Sequence, residues 1–178
     1  MKACRLFLLY LTTTAQAVSF VELREAAENG DPDSQSTLGT MYYNGDGIDR
    51  DYSEAIKWIR TAALQGHIQA QVKLAFMYGN GLGVLEDDTK AATWYSIAAE
   101  QGNALAQYNL GVAYALGIGL PIDRTLSYAW YSIAAVNGYQ RAVVNLKAME
   151  MELSKDEIQS GSKIRDSLIK ANPDALID

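Results

Sequence analysis

The fold class predicted by this sequence is all-α: an α/α solenoid built from repeated helix-turn-helix units. Three observations predict it. Trp58, Trp94 and Trp130 recur at a spacing of 36 residues, and Tyr42, Tyr78 and Tyr114 keep the same spacing. Gly45-x-Gly47 returns as Gly81-x-Gly83 and as Gly117-x-Gly119. The pair Ala62-Ala63 returns as Ala98-Ala99 and Ala134-Ala135, followed each time by a glycine, at 66, 102 and 138. Matches this numerous in one register define a repeat array, in which each unit buries its apolar face against its neighbours. Leu38, Leu74, Leu110 and Leu146 carry the register into a partial fourth unit, and Ala26-Ala27 with Gly30 extend it backward by half a unit.

Each unit reads as two helices. The first is expected from about Ser34 to Asn44, with Leu38 and Tyr42 four apart on one face. Gly45 and Gly47 end it, because glycine tolerates the positive φ a helix terminus needs. The second is expected from about Tyr52 to Gln65. Ala55, Trp58 and Ala62 stand at three- and four-residue spacing, the apolar stripe of an amphipathic helix. Gly66 is its stop. Small residues at 39, 75 and 111 mark where the paired helices press closest, and the alanine pairs permit tight stacking. The tryptophans supply bulk, each able to bury on the order of 200 Å², and are expected in the core.

The pattern Ser34-x-x-x-Leu38-Gly39-x-x-Tyr42-x-x-Gly45-x-Gly47, continued by Asp51-x-x-x-Ala55-x-x-Trp58-x-x-x-Ala62-Ala63-x-x-Gly66, resembles the Sel1-like repeat, a relative of the tetratricopeptide repeat. Later copies start at Ala70 and Ala106. Departures are small: Ser34 for the opening alanine, Ala75 for the helix glycine, Ile48 and Leu120 where Val84 is the usual residue, and Ser127 for Ala55 and Ala91. The resemblance implies a right-handed superhelix. It divides the chain into a half repeat (19–33), three repeats (34–69, 70–105, 106–141) and a partial repeat (142–151), a repeat domain of 18–151 in all.

The N-terminus reads as an export signal. Lys2 and Arg5 precede an apolar run from Leu6 to Leu11, and Ala15-Gln16-Ala17 fits an A-x-A cleavage pattern. That run is far shorter than the ~20 residues of a transmembrane helix, and no later apolar stretch is long enough to span a membrane. Residues 1–17 are therefore expected to be removed. The loss of Lys2 and Arg5 takes the net charge from -6 to -8, with 13 basic residues against 21 acidic. An acidic domain without a basic patch is a poor nucleic-acid binder. Cys4, the one cysteine, lies within the leader, so the mature chain is expected to lack disulfides, a thiol nucleophile and a thiolate metal site. No Asn begins an N-x-Ser/Thr sequon, which favours a bacterial periplasmic or secreted protein. At 49% hydrophobic and 20% charged residues the composition is globular.

Residues 152–178 leave the repeat. Ser154-Lys155-Asp156-Glu157 is a capping box, followed by a weak apolar stripe of Ile158, Ile164, Leu168 and Ile169. This reads as the terminal capping helix a solenoid needs. Asn172-Pro173 ends it, and the last five residues are expected to fray.

Patterns that could carry chemistry have structural readings. Ser160-Gly-Ser-Lys163 fits S-x-x-K, but no companion motif or catalytic fold accompanies it. His67, the one histidine, follows Gly66 and reads as an exposed loop residue without metal partners at matched spacing. Asp46, Asp49 to Asp51 and Glu86 to Asp88 lack EF-hand spacing and read as turn and N-cap residues. The Gly-x-Gly pairs follow a helix, whereas phosphate loops follow a strand. No enzyme activity, cofactor or metal site is expected.

Function is sought where the repeat does not fix the residue. With Leu38 as zero and 100° per residue, positions 33, 36, 40, 43 and 44 fall between about 140° and 240°, opposite the core stripe. In the repeat families this chain resembles, that face lines the concave ligand groove. Here it carries Tyr43 and Asn44, then Val72, Phe76 and Asn80, then Tyr108, Val112 and Leu116. Aromatic anchors flanked by amides suit a protein or peptide partner. The resemblance implies an adaptor for complex assembly, envelope signalling or host interaction. A ligand of cell-wall glycan or peptidoglycan is the alternative, and an envelope hydrolase a more distant one.

Overall fold

The computed structural model describes residues 19–176, and the chain divides into two compact units, one ending at His67 and one beginning at Ile68. The expected leader, its cleavage pattern and Val18 lie outside the described residues, as do Ile177 and Asp178. All regular structure among the described residues is helical.

The first unit holds α1 (19–28), α2 (Pro32–Asn44) and α3 (Tyr52–Leu64). Helix α2 begins two residues before the expected Ser34. Pro32 suits the first turn, where a missing N–H costs nothing, and the Asp31 carboxylate accepts from Ser34 N at 2.7 Å. The helix ends at Gly45, whose φ of 81° places it in the left-handed region and whose N–H reaches Met41 O at 2.8 Å. Asp51 caps α3 by accepting from Ser53 N and Glu54 N. At Gly39 the two helices meet as expected: a Cβ there would lie 2.7 Å from Ile59 Cγ1. Leu38, Ala55, Ile59 and Ala62 are buried around that contact, while Trp58 is half-buried. His67 is not an exposed loop residue: its side chain is largely covered, with Nε2 3.2 Å from Asp33 Oδ1.

The second unit holds α4 (Ile68–Gly79), α5 (Asp88–Glu100), α6 (Ala104–Leu116), α7 (Arg124–Val136), α8 (Gln140–Glu152), α9 (Lys155–Ala171) and a 3-10 turn, Pro173–Ala175. Consecutive helices from α4 to α8 form hairpins, except that α7 also carries α9. Ser127 to Ala134 are consequently all buried, and Trp130 is only 3% exposed, whereas Trp94 of α5 is half-buried. The expected equivalence of the three tryptophans therefore fails, because the last repeat has an extra helix against it. Ser127, a small departure from the repeat, donates its hydroxyl to Gly111 O at 2.8 Å.

The capping box forms. Ser154 N donates to Glu157 Oε2 at 2.8 Å, and Glu157 N donates to Ser154 Oγ at 3.3 Å. Gly161 lets α9 come close to α7, since a Cβ there would lie 2.7 Å from Tyr128 Cδ1 and 3.1 Å from Thr125 O. The glycine of the S-x-x-K match thus serves a helix crossing. The expected fraying of the last five residues is corrected for Asp174 to Leu176. Pro173–Ala175 turns back on the unit, Ala175 is 1% exposed, and Leu176 packs on its apolar cluster.

Candidate functional site

The eight residues expected to line one face are distributed by the structure among different environments. In the first unit Tyr43 is half-buried at the end of α2, with Tyr52 edge-on at 5.4 Å between ring centroids. Asn44 is exposed, but its amide is tied to Asp46 Oδ2 at 2.8 Å.

In the second unit Phe76 and Asn80, one turn apart on α4, share a cleft of about 160 Å³ with Val112 of α6. Phe76 is 43% exposed, and Asn80 Nδ2 donates back to Phe76 O at 2.7 Å, which holds the amide at the rim. The cleft exists because Ala75, Gly79, Ala91 and Ala92 are small where α4 and α5 meet. Tyr95, Asp88, Asn109 and Ile118 complete its wall. Desolvation pushes the Tyr95 hydroxyl up to about 12, with a smaller contribution from Tyr139. An aromatic, an exposed isoleucine, two amides and a phenol around a shallow apolar floor suit a side chain with flanking polar groups. They offer no paired acid and base.

The remaining residues differ from expectation. Val72 is 8% exposed and belongs to the apolar cluster of Leu110, Trp130 and Ile133, on which Leu168, Ile169 and Leu176 also pack. It is core, not groove. Tyr108 is half-buried between Tyr131 and Tyr139, with centroids 5.6 and 4.8 Å away, so its ring is engaged within the unit. Leu116 is exposed but lines a separate depression with Tyr131, Asn145 and the Arg124–Glu152 ion pair, which is 2.7 Å long.

One feature went unread in the sequence although it keeps the 36-residue register. Gln35, Gln71 and Gln107 are buried, and each accepts a side-chain amide from the end of the following helix. Gln65 Nε2 donates to Gln35 Oε1 at 2.7 Å, Gln101 Nε2 to Gln71 Oε1 at 2.8 Å, and Asn137 Nδ2 to Gln107 Oε1 at 2.8 Å. Gln35 and Gln107 in turn donate to Ala27 O and Ala99 O, both at 3.0 Å. These pairs satisfy buried polar groups where the two helices of a repeat meet, and Gln35 and Gln107 also tie in the helix before them.

Comparison with known proteins gives the same 36-residue spacing. A family model of the Sel1 repeat matches residues 32–67, 68–103 and 104–139, which start where α2, α4 and α6 start. No curated protein matches the chain. Among solved structures, a Sel1 repeat protein from Oxalobacter formigenes is 41% identical, with a TM-score of 0.68 over 73% of this chain and 98% of that one. A protective antigen present in uropathogenic Escherichia coli strains, displaying an SLR fold, is 31% identical with a TM-score of 0.79. It is covered over 88% of this chain but only 34% of its own length, so this chain spans about a third of that antigen.

Proposed function

The chain belongs to the Sel1-repeat family, and from that premise we propose that it is an exported adaptor that binds a protein or peptide segment on its helical array. Sel1 repeats generally act as protein-interaction scaffolds, and members are typically non-catalytic. The observation that carries the finer reading is the cleft of Phe76, Asn80 and Val112. A large aromatic is left 43% exposed at a cleft whose lining includes Ala75, Ala91 and Ala92. Aromatics in such settings are the usual anchors of protein interfaces. Export rests on the order of positive end, apolar run and A-x-A pattern at the N-terminus.

The test is affinity capture by tagged mature protein from envelope extract, run beside Phe76→Ala and beside sedimentation with labelled peptidoglycan. Specific protein capture that the Phe76→Ala protein loses supports the adaptor. Sedimentation with peptidoglycan that the same substitution abolishes transfers the cleft to a glycan ligand instead.

A further inference from the structure

The amide pair Gln107–Asn137 holds something besides itself. Gln107 Nε2, at the end of a fully buried side chain, donates to Ala175 O at 2.7 Å, and Asn137 Nδ2 donates to the same oxygen at 2.7 Å. One backbone carbonyl, 68 residues from the glutamine and 38 from the asparagine, thus takes a hydrogen bond from each of two helices. We propose that this pair is a binding site for the carbonyl of a peptide segment, and that the chain's own Pro173–Leu176 is its resident and displaceable occupant. The ligand class is a segment with a small residue followed by a large aliphatic one, supplied by another protein. This deepens the adaptor reading and rests on it.

Three observations support the assignment. First, the receptor belongs to the repeat, not to the tail. The same amide pairing is built at Gln35–Gln65 and at Gln71–Gln101, in the same register. At Gln107 and Gln35 the glutamine is oriented by the same bond to the carbonyl eight residues earlier. The geometry is thus one the repeat builds for itself, onto which Ala175 is added. Second, the flanking surface selects. The Ala175 methyl is sealed at 1% exposure, which leaves no room for a larger side chain, and Leu176 packs on the cluster of Val72, Leu110 and Trp130. Recognition through a carbonyl and two apolar positions reads peptide shape with little demand on the rest of the sequence. Third, the tail is attached to the capping helix by a short link. Helix α9 covers α7 through the Gly161–Tyr128 contact and ends before the turn begins. Asn172 alone joins α9 to the turn, whose internal bonds, Ala175 N to Asn172 O and Leu176 N to Pro173 O, are local and can move with it.

A tethered occupant competes at an effective concentration set by its short link, so a free segment binds weakly until the tether is released. The test therefore uses the full-length chain and a fluorescent peptide of residues 170–178, read by anisotropy. Ala175→Arg, which the sealed methyl site cannot accept, should release the tail. Leu176→Ser is the milder second variant should the first lower the melting temperature. Either release variant should bind the peptide at least about tenfold more tightly than the unsubstituted chain. Adding Asn137→Ala should remove most of that gain, and a peptide carrying Leu176→Asp should not bind. Release should also red-shift the Trp130 emission, and added peptide should reverse it. If both release variants fold and bind the peptide no better than the unsubstituted chain, the tail is a fixed part of the fold and the proposal is overturned. Because the peptide is the chain's own, that outcome leaves capture through the Phe76 cleft standing. Loss of Phe76-dependent capture with peptide binding intact would do the reverse.

Discussion

Gly111 of α6 packs directly against the ring of Tyr131 on α7: a Cβ built on the glycine would stand 2.7 Å from Tyr131 Cδ1 and 2.8 Å from Cε1. The Ser127 hydroxyl bonds the Gly111 carbonyl across the same crossing and fixes the separation, so the ring cannot retreat without breaking that bond. Gly111→Ala should therefore destabilise the protein by about 1–3 kcal/mol through overpacking. Gly79 is the control, since a Cβ there would meet Ala91 Cβ at an ordinary 3.5 Å. Gly79→Ala should be neutral or stabilising by up to about 1 kcal/mol. Urea unfolding of the two variants checks both signs. Equal stability of the Gly111→Ala protein would mean that the helices can part without cost.

These contacts show what the sequence can and cannot encode locally. The 36-residue register placed Leu38, Leu74 and Leu110 in the core, and all three are buried. It also placed small residues at the helix crossings, as found at Gly39 and Gly111, and the Ser154-to-Glu157 spacing outside the repeat gave the capping box. Rotation about a single helix put Val72 opposite the core stripe, yet Val72 is buried in a cluster reached by Leu176, more than a hundred residues later. No periodicity within a repeat carries that contact. Tyr108 likewise lost its outward role to Tyr131 and Tyr139 of neighbouring helices. The glutamine pairs were legible in principle, as a polar residue recurring at 36 beside buried alanines.

Asp87 and Asp123, which open the second helices of the last two repeats, make stability depend on acid, because both carboxyls are held below their ordinary value by the bonds they accept, foremost from the Lys90 and Thr125 side chains. Asp123 accepts from Thr125 Oγ1 at 2.7 Å, Leu126 N at 2.9 Å and Thr125 N at 3.0 Å, and these bonds, the Thr125 side chain foremost, hold its carboxyl below the ordinary 3.8. A depressed folded pKa gives stability that is present above the unfolded value and is lost as pH falls through the folded one. Asp123→Ala should cost about 1 kcal/mol at neutral pH. Asp123→Asn should keep most of the cap while flattening part of the melting-temperature fall below pH 4. Melting curves from pH 2.5 to 7 compare the three proteins.

Alkali should act through Tyr95. Its hydroxyl is raised by burial from 10.0 to about 12. The unfolded chain therefore ionises first, and stability that is complete below pH 10 is lost as pH rises toward 12, by on the order of 2 kcal/mol. Tyr95→Phe should remove that part of the alkaline loss. Phenolate absorbance near 295 nm should show a late-titrating class of tyrosines in the folded protein, which burial also raises at Tyr114 and Tyr131, and that class should be smaller by one in the variant. Titration of that class together with the exposed tyrosines would contradict the burial of the Tyr95 hydroxyl.

Export makes a separate forecast. If Ala15-Gln16-Ala17 is the cleavage pattern, protein recovered from outside the cytoplasm should begin at Val18 by N-terminal sequencing, lighter by the first 17 residues. Replacing Ala17 by a bulky residue should slow the removal and leave a longer, membrane-associated precursor, because signal cleavage requires small residues there. Recovery of soluble protein that retains Met1 would end the argument for a leader.

Phe76 and Tyr108 should separate binding from folding. Both stand on first helices of consecutive repeats, at positions 32 residues apart that the rotation argument assigns to one face. Phe76 is 43% exposed at the rim of its cleft, so Phe76→Ala should cost only about 1–2 kcal/mol of stability, less than a core truncation. Tyr108 packs between two rings, so Tyr108→Ala leaves a cavity and should cost about 2–4 kcal/mol, enough to lower the melting temperature of a chain this size by several degrees. Partner capture should move the other way. Truncating a central aromatic anchor commonly weakens binding by about 2 kcal/mol or more, roughly thirtyfold. Phe76→Ala should therefore lose the partner at unchanged fold, while Tyr108→Ala, measured well below its melting temperature, should retain it. Circular-dichroism melting beside quantitative capture decides the point. A Phe76→Ala protein that is stable and still captures its partner in full would rule out the cleft, whatever else the array binds.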